Sequence, residues 1–241
     1  MSPSEVNVGF RHFHDQLATL RQRLLDMSER AESLVALAVE SLLARDRGKA
    51  DAVIRGDHEV DQLEVEVEAL AVNLLALQQP MARDLRFIIA AIKVSSDLER
   101  VGDHAVNIAQ CTQRLIATAT SITPAPELED MARRARAMLS DALDALVRAD
   151  GVLGREVCRR DDDVDALHTT IFRLLLKEMM ADVRIVTPGL ELLLVSRNLE
   201  RIADLATNIG EDAVFLAEGK SIKHRSEADD AGAAFPVGVT R

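Results

Sequence analysis

The sequence has no tryptophan, no tyrosine and only six phenylalanines among its 241 residues. Aromatic and β-branched side chains are typical of sheets. The small number of aromatic residues therefore argues against a β-sandwich or a β-barrel. Apolar residues still make up 48% of the chain. They are mostly leucine, isoleucine, valine, methionine and alanine, a set that favours helices. The length allows one or two domains with a sizeable core.

Cysteine is also scarce. Cys111 and Cys158 are far apart and form no CxxC pair, which excludes a disulfide framework or a zinc ribbon and fits a reducing compartment. The N-terminus lacks a basic stretch followed by an apolar one, and no apolar run approaches the ~20 residues of a spanning helix. We therefore expect a cytoplasmic protein without direct membrane insertion.

Positive charge is in deficit. Forty acidic residues against 29 lysines and arginines give a formal charge of −11. This charge repels nucleic acid and anionic lipid unless a local basic patch intervenes. Cations and basic protein surfaces are the expected partners, and nucleic acid is not.

Apolar residues recur in alternating steps of three and four, which predicts long helices. The first seam runs from Phe13 to Ser41, the second from Val60 to Leu77 and the third from Phe87 to Leu115. Pro80 ends the second seam, because proline is not tolerated inside a helix.

The same three segments recur further along the chain. A shift of 104 residues aligns the first two segments, and a shift of 101 aligns residues 94–110 with 195–211 at nine of 17 positions. The sequence therefore predicts an all-α fold of two tandem three-helix bundles, six long helices in total. The predicted parts are a first unit at 8–119, a linker at 120–126, a second unit at 127–219 and a disordered tail at 220–241.

Each unit repeats an acidic pattern beside its apolar seams. Steps of four place acidic and amide side chains in one stripe on the third helix, and the second helix carries a similar stripe. On the second helix of the first unit, Glu64 lies next along this stripe. His168 occupies the equivalent position in the second unit. The predicted metal ligands are Asp57, Asp61, Glu99, Asp103 and Asn107 in the first unit, and Asp161, Asp165, Glu200, Asp204 and Asn208 in the second.

Oxygen ligands without thiolate favour magnesium, manganese or iron, and an imidazole such as that of His58, His104 or His168 widens the choice to zinc. The competing interpretation is a solvated acidic face balanced by neighbouring arginines. A ferritin-like di-iron centre fits poorly, because Asp165-x-x-His168 is its only near match. No phosphate loop, nucleophile elbow or Cys/His pair is present, so we expect no enzyme.

Three motifs make the chain resemble the PhoU family of phosphate-specific transport accessory proteins. They are QPMARDLR at 79–86, DLERVGDHAVNI at 97–108 and NLERIADLATNI at 198–209, within a resemblance that covers about residues 8–218. The resemblance implies a negative regulator of the phosphate-starvation response that contacts the phosphate ABC transporter ATPase and the sensor histidine kinase. It also implies iron or zinc at the ExxxD and DxxxD motifs, and a homodimer.

The second unit departs from the family pattern. It has DVRIVTPGLELL in place of QPMARDLR, and Leu205 where the first unit has His104. The resemblance therefore supports a metal site less strongly in this unit than in the first, and the two faces are expected to serve different partners. Two other functions stay open from the sequence: a metal-storage helical bundle without a signalling role, and a helical scaffold whose acids only solubilise it.

Overall fold

The computed structural model describes residues 3–78, 80–118, 120 and 122–222; residues 223–241, most of the predicted tail, lie outside this part. Seven α-helices and one short 3₁₀ helix, Val183–Ile185, make up the described fold, and no strand occurs in these ranges. The prediction of an all-α protein of two tandem helical bundles is confirmed. The helices are α1 Pro3–Ala44, α2 Arg47–Gln78, α3 Ala82–Ala117, α4 Pro126–Arg148, α5 Gly151–Arg159, α6 Asp161–Ala181 and α7 Val186–Glu218.

The duplication extends to the turn between the first two helices of each unit. Arg45 and Ala149, 104 residues apart, both adopt the left-handed conformation, with φ of 51° and 50°. The following aspartate caps the next helix: Asp46 accepts a hydrogen bond from the Lys49 amide, and Asp150 from the amides of residues 152 and 153. The two turns are therefore built in the same way.

The second helix of the second unit differs from its counterpart, because it is interrupted where α2 is continuous. α5 ends at Arg159, and the amide of Arg160 donates to the Val157 carbonyl at 3.0 Å, a bond to the third residue back. The new helix α6 then starts with three aspartates, which its N-terminal dipole favours. The predicted six helices thus become seven. Pro126, the last residue of the predicted linker, begins α4.

The two units pack along α3 and α7, which run antiparallel. Lys93 Nζ lies 3.1 Å from Asp212 Oδ1, and His104 Nδ1 lies 2.9 Å from Asn198 Oδ1. Near the other end, Arg114 Nε donates to Glu191 Oε1 at 2.8 Å. One continuous set of buried apolar side chains extends through both units. The acidic stripes lie beside this core, on rigid helices.

Within the described residues, none of the helices is both long and apolar enough to cross a membrane.

Candidate metal sites and family membership

The first-unit acidic cluster consists of Asp57, Asp61 and Glu64 on α2 and Glu99 and Asp103 on α3. The two helices pack side by side, and the charges of neighbouring carboxylates add to the effect of burial in raising the pKa of Asp57, Glu64 and Glu99. Within the part of the chain that the structure describes, none of these carboxylates forms a salt bridge or a side-chain hydrogen bond. The Arg100 charge acts against this repulsion at Glu99 without forming an ion pair in the described ranges, so the cluster is a concentrated and weakly compensated negative charge.

Asp57 is the deepest member of this cluster. Its Oδ1 atom is buried and has no hydrogen-bond partner among the described residues. Gly102 on α3 makes room for it, since a Cβ at position 102 would lie 2.6 Å from that oxygen. Burial, followed by the charges of Asp61 and Asp103, raises the pKa of Asp57 to about 6. A cation beside this oxygen would offset both costs.

Glu64 belongs to the cluster although it is not among the predicted ligands. Burial raises its pKa first, and the nearby Glu99 charge raises it further. The pKa of Glu99 is also raised, by burial and by Asp103. The signal for Glu64 was present in the sequence, because it lies one turn after Asp61 on the same stripe.

The second-unit acidic cluster consists of Asp161, Asp165, Glu200 and Asp204. Burial and the charges of Asp204 and Asp165 raise the pKa of Asp161 to about 6, and its Oδ1 atom is buried without a hydrogen-bond partner in the described ranges. Among the described residues this cluster has an arginine in ion-pair contact, whereas the first-unit cluster has none. Arg201 Nη1 donates to Asp204 Oδ2 at 2.9 Å, and Arg201 Nε lies 3.4 Å from Glu200 Oε2.

A groove of about 320 Å³ adjoins the second-unit acidic cluster and is shared by both units. Arg100 and His104 of α3 line one part of it, and Asp161, Asp204 and Asn208 line another. Arg100 of the first unit and Arg201 of the second therefore line the same groove as the second-unit acids. This arrangement across the two units was not predicted from the sequence.

The two predicted amide ligands are placed differently. Asn208 lines the shared groove. Asn107 lies exposed on α3 one turn beyond Asp103, and its side chain makes no hydrogen bond with the described residues. The structure thus brings Asn208 to its acidic cluster but gives no evidence that Asn107 belongs to the other one.

Two histidines lie next to the clusters with one ring nitrogen engaged. His168 on α6 lies 2.5 Å through Nδ1 from the hydroxyl oxygen of buried Ser196. Ser196 is one turn before Glu200 on α7. This bond leaves the His168 Nε2 atom as its ligand nitrogen, the arrangement in which a second partner orients a metal-binding imidazole. His104 instead uses Nδ1 for Asn198.

The donor chemistry of both clusters fits a divalent cation, because carboxylate oxygens dominate and two buried oxygens lack partners. The side chains are not gathered around one point, however. Among the described residues, no group of three or more His, Cys, Asp or Glu side chains is arranged to hold a metal ion. Binding therefore requires side-chain rotation on fixed helices.

The raised pKa of Asp57 predicts that Asp57→Asn stabilises the metal-free protein at pH 7.5. The Asp57 carboxyl has a pKa of about 6 in the folded protein, above its value in the unfolded chain. Its ionised form therefore lowers the free energy of unfolding at pH 7.5, and this loss disappears as pH falls from about 6 to 4. Two pKa units correspond to at most about 3 kcal/mol, and solvent screening reduces this to about 1 kcal/mol. We expect that gain at pH 7.5, and little difference at pH 4.

Urea unfolding in the presence of a chelator measures this effect, with Asp15→Asn as the control, because Asp15 is exposed on α1 and lies outside the acidic cluster. The prediction is wrong if Asp57→Asn lowers the free energy of unfolding at pH 7.5.

Taken together, the fold and site define a class: an all-α protein of two duplicated helical bundles, with paired acidic clusters between its second and third helices. Comparison with known proteins is more specific. The PhoU domain model matches residues 24–112 and again 128–213. The chain belongs to the PhoU family, which confirms the resemblance found in the sequence.

The chain matches its relatives over nearly their whole length. It is 35% identical to the phosphate-specific transport system accessory protein PhoU homolog of Zymomonas mobilis, over 94% of this chain and 95% of that protein. It is 37% identical to the Clostridium acetobutylicum protein of the same name, over 87% and 96%. These relatives are named as accessory proteins of a transport system and not as enzymes.

Solved structures give the same result. The crystal structure of PhoU from Pseudomonas aeruginosa superimposes with a TM-score of 0.84 at 35% identity, over 86% of this chain and 100% of that chain. The phosphate transport system regulatory protein PhoU from Streptococcus pneumoniae gives 0.80 at 28% identity, over 88% and 99%. Both units of the fold are therefore shared with PhoU proteins.

Proposed function

We propose that this protein is a negative regulator of the phosphate-starvation response and of phosphate uptake. It acts in the cytoplasm as an adaptor between the phosphate ABC transporter ATPase and the phosphate-sensing histidine kinase, and it works as a homodimer. The observation that carries this proposal is the end-to-end similarity to proteins named for phosphate-specific transport, in both sequence and fold. The rigid helical surfaces and absence of recognisable catalytic motifs support binding rather than turnover.

Deleting the gene and measuring a phosphate-responsive reporter tests the regulatory role. We expect expression in high phosphate to rise towards the starved level, and the intact gene to restore repression. Unchanged expression after deletion contradicts the proposal. Direct binding of purified transporter ATPase and of the cytoplasmic part of the sensor kinase tests the adaptor role separately.

We also propose that each acidic cluster binds divalent cations such as iron, zinc, manganese or magnesium. The first-unit cluster provides carboxylates from α2 and α3, and the second-unit cluster provides carboxylates from α6 and α7 together with His168. A bound cation would neutralise these charges and link the two helices. The buried Oδ1 atoms of Asp57 and Asp161 support this assignment, because neither has a hydrogen-bond partner among the described residues.

The two clusters are expected to prefer different metals. Glu64 and His168 occupy equivalent positions, so the first site is built of oxygen ligands while the second also offers an imidazole. Imidazole suits zinc and iron, whereas carboxylates alone suit magnesium and manganese. His168→Glu should therefore weaken zinc binding to the second site. We expect a loss of about tenfold or more, as is found when a residue that orients a metal ligand is removed.

Zinc titration by calorimetry compares wild type, His168→Glu and the reciprocal Glu64→His. We expect Glu64→His to strengthen zinc binding at the first site. His14→Ala is the control, since His14 is exposed on α1 and belongs to neither acidic cluster. Equal zinc affinity in wild type and His168→Glu contradicts the preference, and absence of any bound metal in all chains contradicts the metal proposal itself. Uptake of many ions per chain, with oxidation of ferrous iron, would instead favour the metal-storage function.

A further inference from the structure

Five large apolar side chains are exposed near the end of the second unit where α6 connects to α7. Their exposed fractions range from 42% for Leu176 to 81% for Met180. Contiguous apolar surface on a protein of this kind commonly marks a binding site. The α6–α7 apolar patch consists of Phe172, Leu176, Met180, Leu190 and Leu194.

These side chains form two neighbouring stripes. Steps of four align the three residues of α6 on one face, and a step of four aligns the two of α7. The helices lie side by side along this stretch: His168 contacts Ser196, and a Cβ at Gly189 would lie 2.9 Å from Met179 Sδ. The patch therefore follows the α6–α7 hairpin from its turn towards the second-unit acidic cluster.

The first unit provides an internal comparison. The shifts of 104 and 101 residues place Glu68 at the position of Phe172 and Lys93 at the position of Leu194. Both of these first-unit residues are exposed. Exposed Val72, at the position of Leu176, is the apolar residue that the first unit keeps between them. The same hairpin thus folds with charged residues at two of the patch positions, and the fold itself does not require a continuous apolar patch there.

The charge around the patch is opposite to that of the whole chain. Arg173, Lys177 and Arg197 are exposed beside it, and they form no ion pair with the described residues. Of the nearby acids, Asp182 pairs with Arg184 and Glu191 pairs with Arg114, which leaves Glu178 as the unpaired one. In a chain of net charge −11, this surface is locally apolar and cationic.

We propose that the α6–α7 apolar patch binds an amphipathic helix of a partner protein whose apolar face is flanked by aspartate and glutamate. The inference rests on the proposed adaptor function, and the helix belongs to the transporter ATPase or the sensor kinase. Apolar stripes on helices recognise such segments, and the flanking cations select acidic side chains.

A protein helix fits this surface better than a membrane does. The second-unit acidic cluster lies on the same two helices, with His168 and Ser196 between it and the patch. A flat anionic lipid surface that contacts the patch also approaches these acids and the rest of the negative chain, which repel it. The attraction of each cation to that surface contributes only about 1 kcal/mol. A single helix contacts the patch alone, and its acids complement all three cations.

The test replaces two patch residues by their first-unit counterparts, in Phe172→Glu/Leu194→Lys. The matched control is Val147→Lys/Val152→Glu, which makes the same kinds of change at exposed valines on α4 and α5. Binding of the purified transporter ATPase and of the cytoplasmic part of the sensor kinase is measured for each chain. We expect the patch variant to bind one of them at least tenfold more weakly, and the control to bind like wild type. Arg173→Glu/Lys177→Glu should weaken the same interaction.

Thermal unfolding checks that every variant is folded. Sedimentation in solution and in the presence of vesicles of anionic and neutral lipid tests the other occupants. Loss of self-association or of vesicle binding in the patch variant, with unchanged binding of both proteins, overturns the proposal in favour of a second copy or a membrane. Unchanged binding in the patch variant overturns the inference alone, whereas failure of wild type to bind either protein overturns the adaptor function with it.

Discussion

Replacing Gly154 by alanine is expected to lower the free energy of unfolding by about 2 kcal/mol, although Gly→Ala inside a helix ordinarily raises it by about 0.5–1 kcal/mol. The reason is the contact between α5 and α7. A Cβ at position 154 would lie 2.5 Å from the carbonyl oxygen of Gly210 and 3.1 Å from Val214 Cγ2. The first of these atoms belongs to the backbone, so the helices must separate.

Urea unfolding of Gly154→Ala measures this loss, and Gly48→Ala is its control. Gly48 is exposed in the first turn of α2, where a new Cβ meets only the Asp46 carboxylate at 3.2 Å. This carboxylate also accepts from the Lys49 amide at 3.1 Å, and a shift of a few tenths of an ångström keeps that hydrogen bond, so Gly48→Ala should be nearly neutral. If both variants show the same change, the close packing of α5 on α7 does not determine the effect.

The helices of both units could largely be predicted from the sequence. The seams specified three helices in each unit, because apolar spacing reports which face of a helix is buried. The sequence also contains a signal for the close contact of α5 with α7, because Gly154 and Gly210 stand where the first unit has Ala50 and Ala109. The interruption at Arg160 was harder to predict, because the apolar spacing continues across it.

The acidic clusters were predictable in membership but not in electrostatic state. Spacing placed Asp57 and Asp161 on the correct stripes. It could not show that Gly102 leaves room for Asp57, or that Arg201 pairs with Asp204 while the first-unit acids have no such partner. The room at Gly102 depends on how closely α3 packs on α2. The pairing of Arg201 with Asp204 depends on a side-chain conformation within α7, since Arg100 and Asp103 have the same spacing and do not pair in the described residues. A periodic pattern on a single helix carries no information about the distance to the next one.

The packing of α3 on α7 sets up the second large effect. Asp212 is 2% exposed; its Oδ1 atom bonds Lys93 Nζ at 3.1 Å, and its Oδ2 atom has no partner among the described residues. Lys93→Leu removes the counter-charge of a buried carboxylate. Such a loss costs about 3–5 kcal/mol for a fully buried pair. Lys93 is half exposed, so we expect a loss of about 2 kcal/mol in the free energy of unfolding.

The first and second units again supply the control. The 101-residue shift places Leu194 at the position of Lys93 and Cys111 at that of Asp212, so the duplicated positions hold an uncharged pair. The double variant Lys93→Leu/Asp212→Cys reproduces that pair and leaves no carboxylate without a counter-charge. It should regain most of the stability lost in Lys93→Leu, as replacement of a buried ion pair by apolar groups often does.

A double-mutant cycle of wild type, the two single variants and the double variant, measured by urea unfolding, separates the ion pair from the individual side chains. A double variant no more stable than Lys93→Leu would show that the lysine contributes mainly through its packing on Phe215, whose ring centre lies 5.3 Å from Nζ. Recovery in the double variant would assign the loss to the buried charge. The packing of α3 on α7 would then require a counter-charge for Asp212. The equivalent pair, Leu194 and Cys111, has no such requirement.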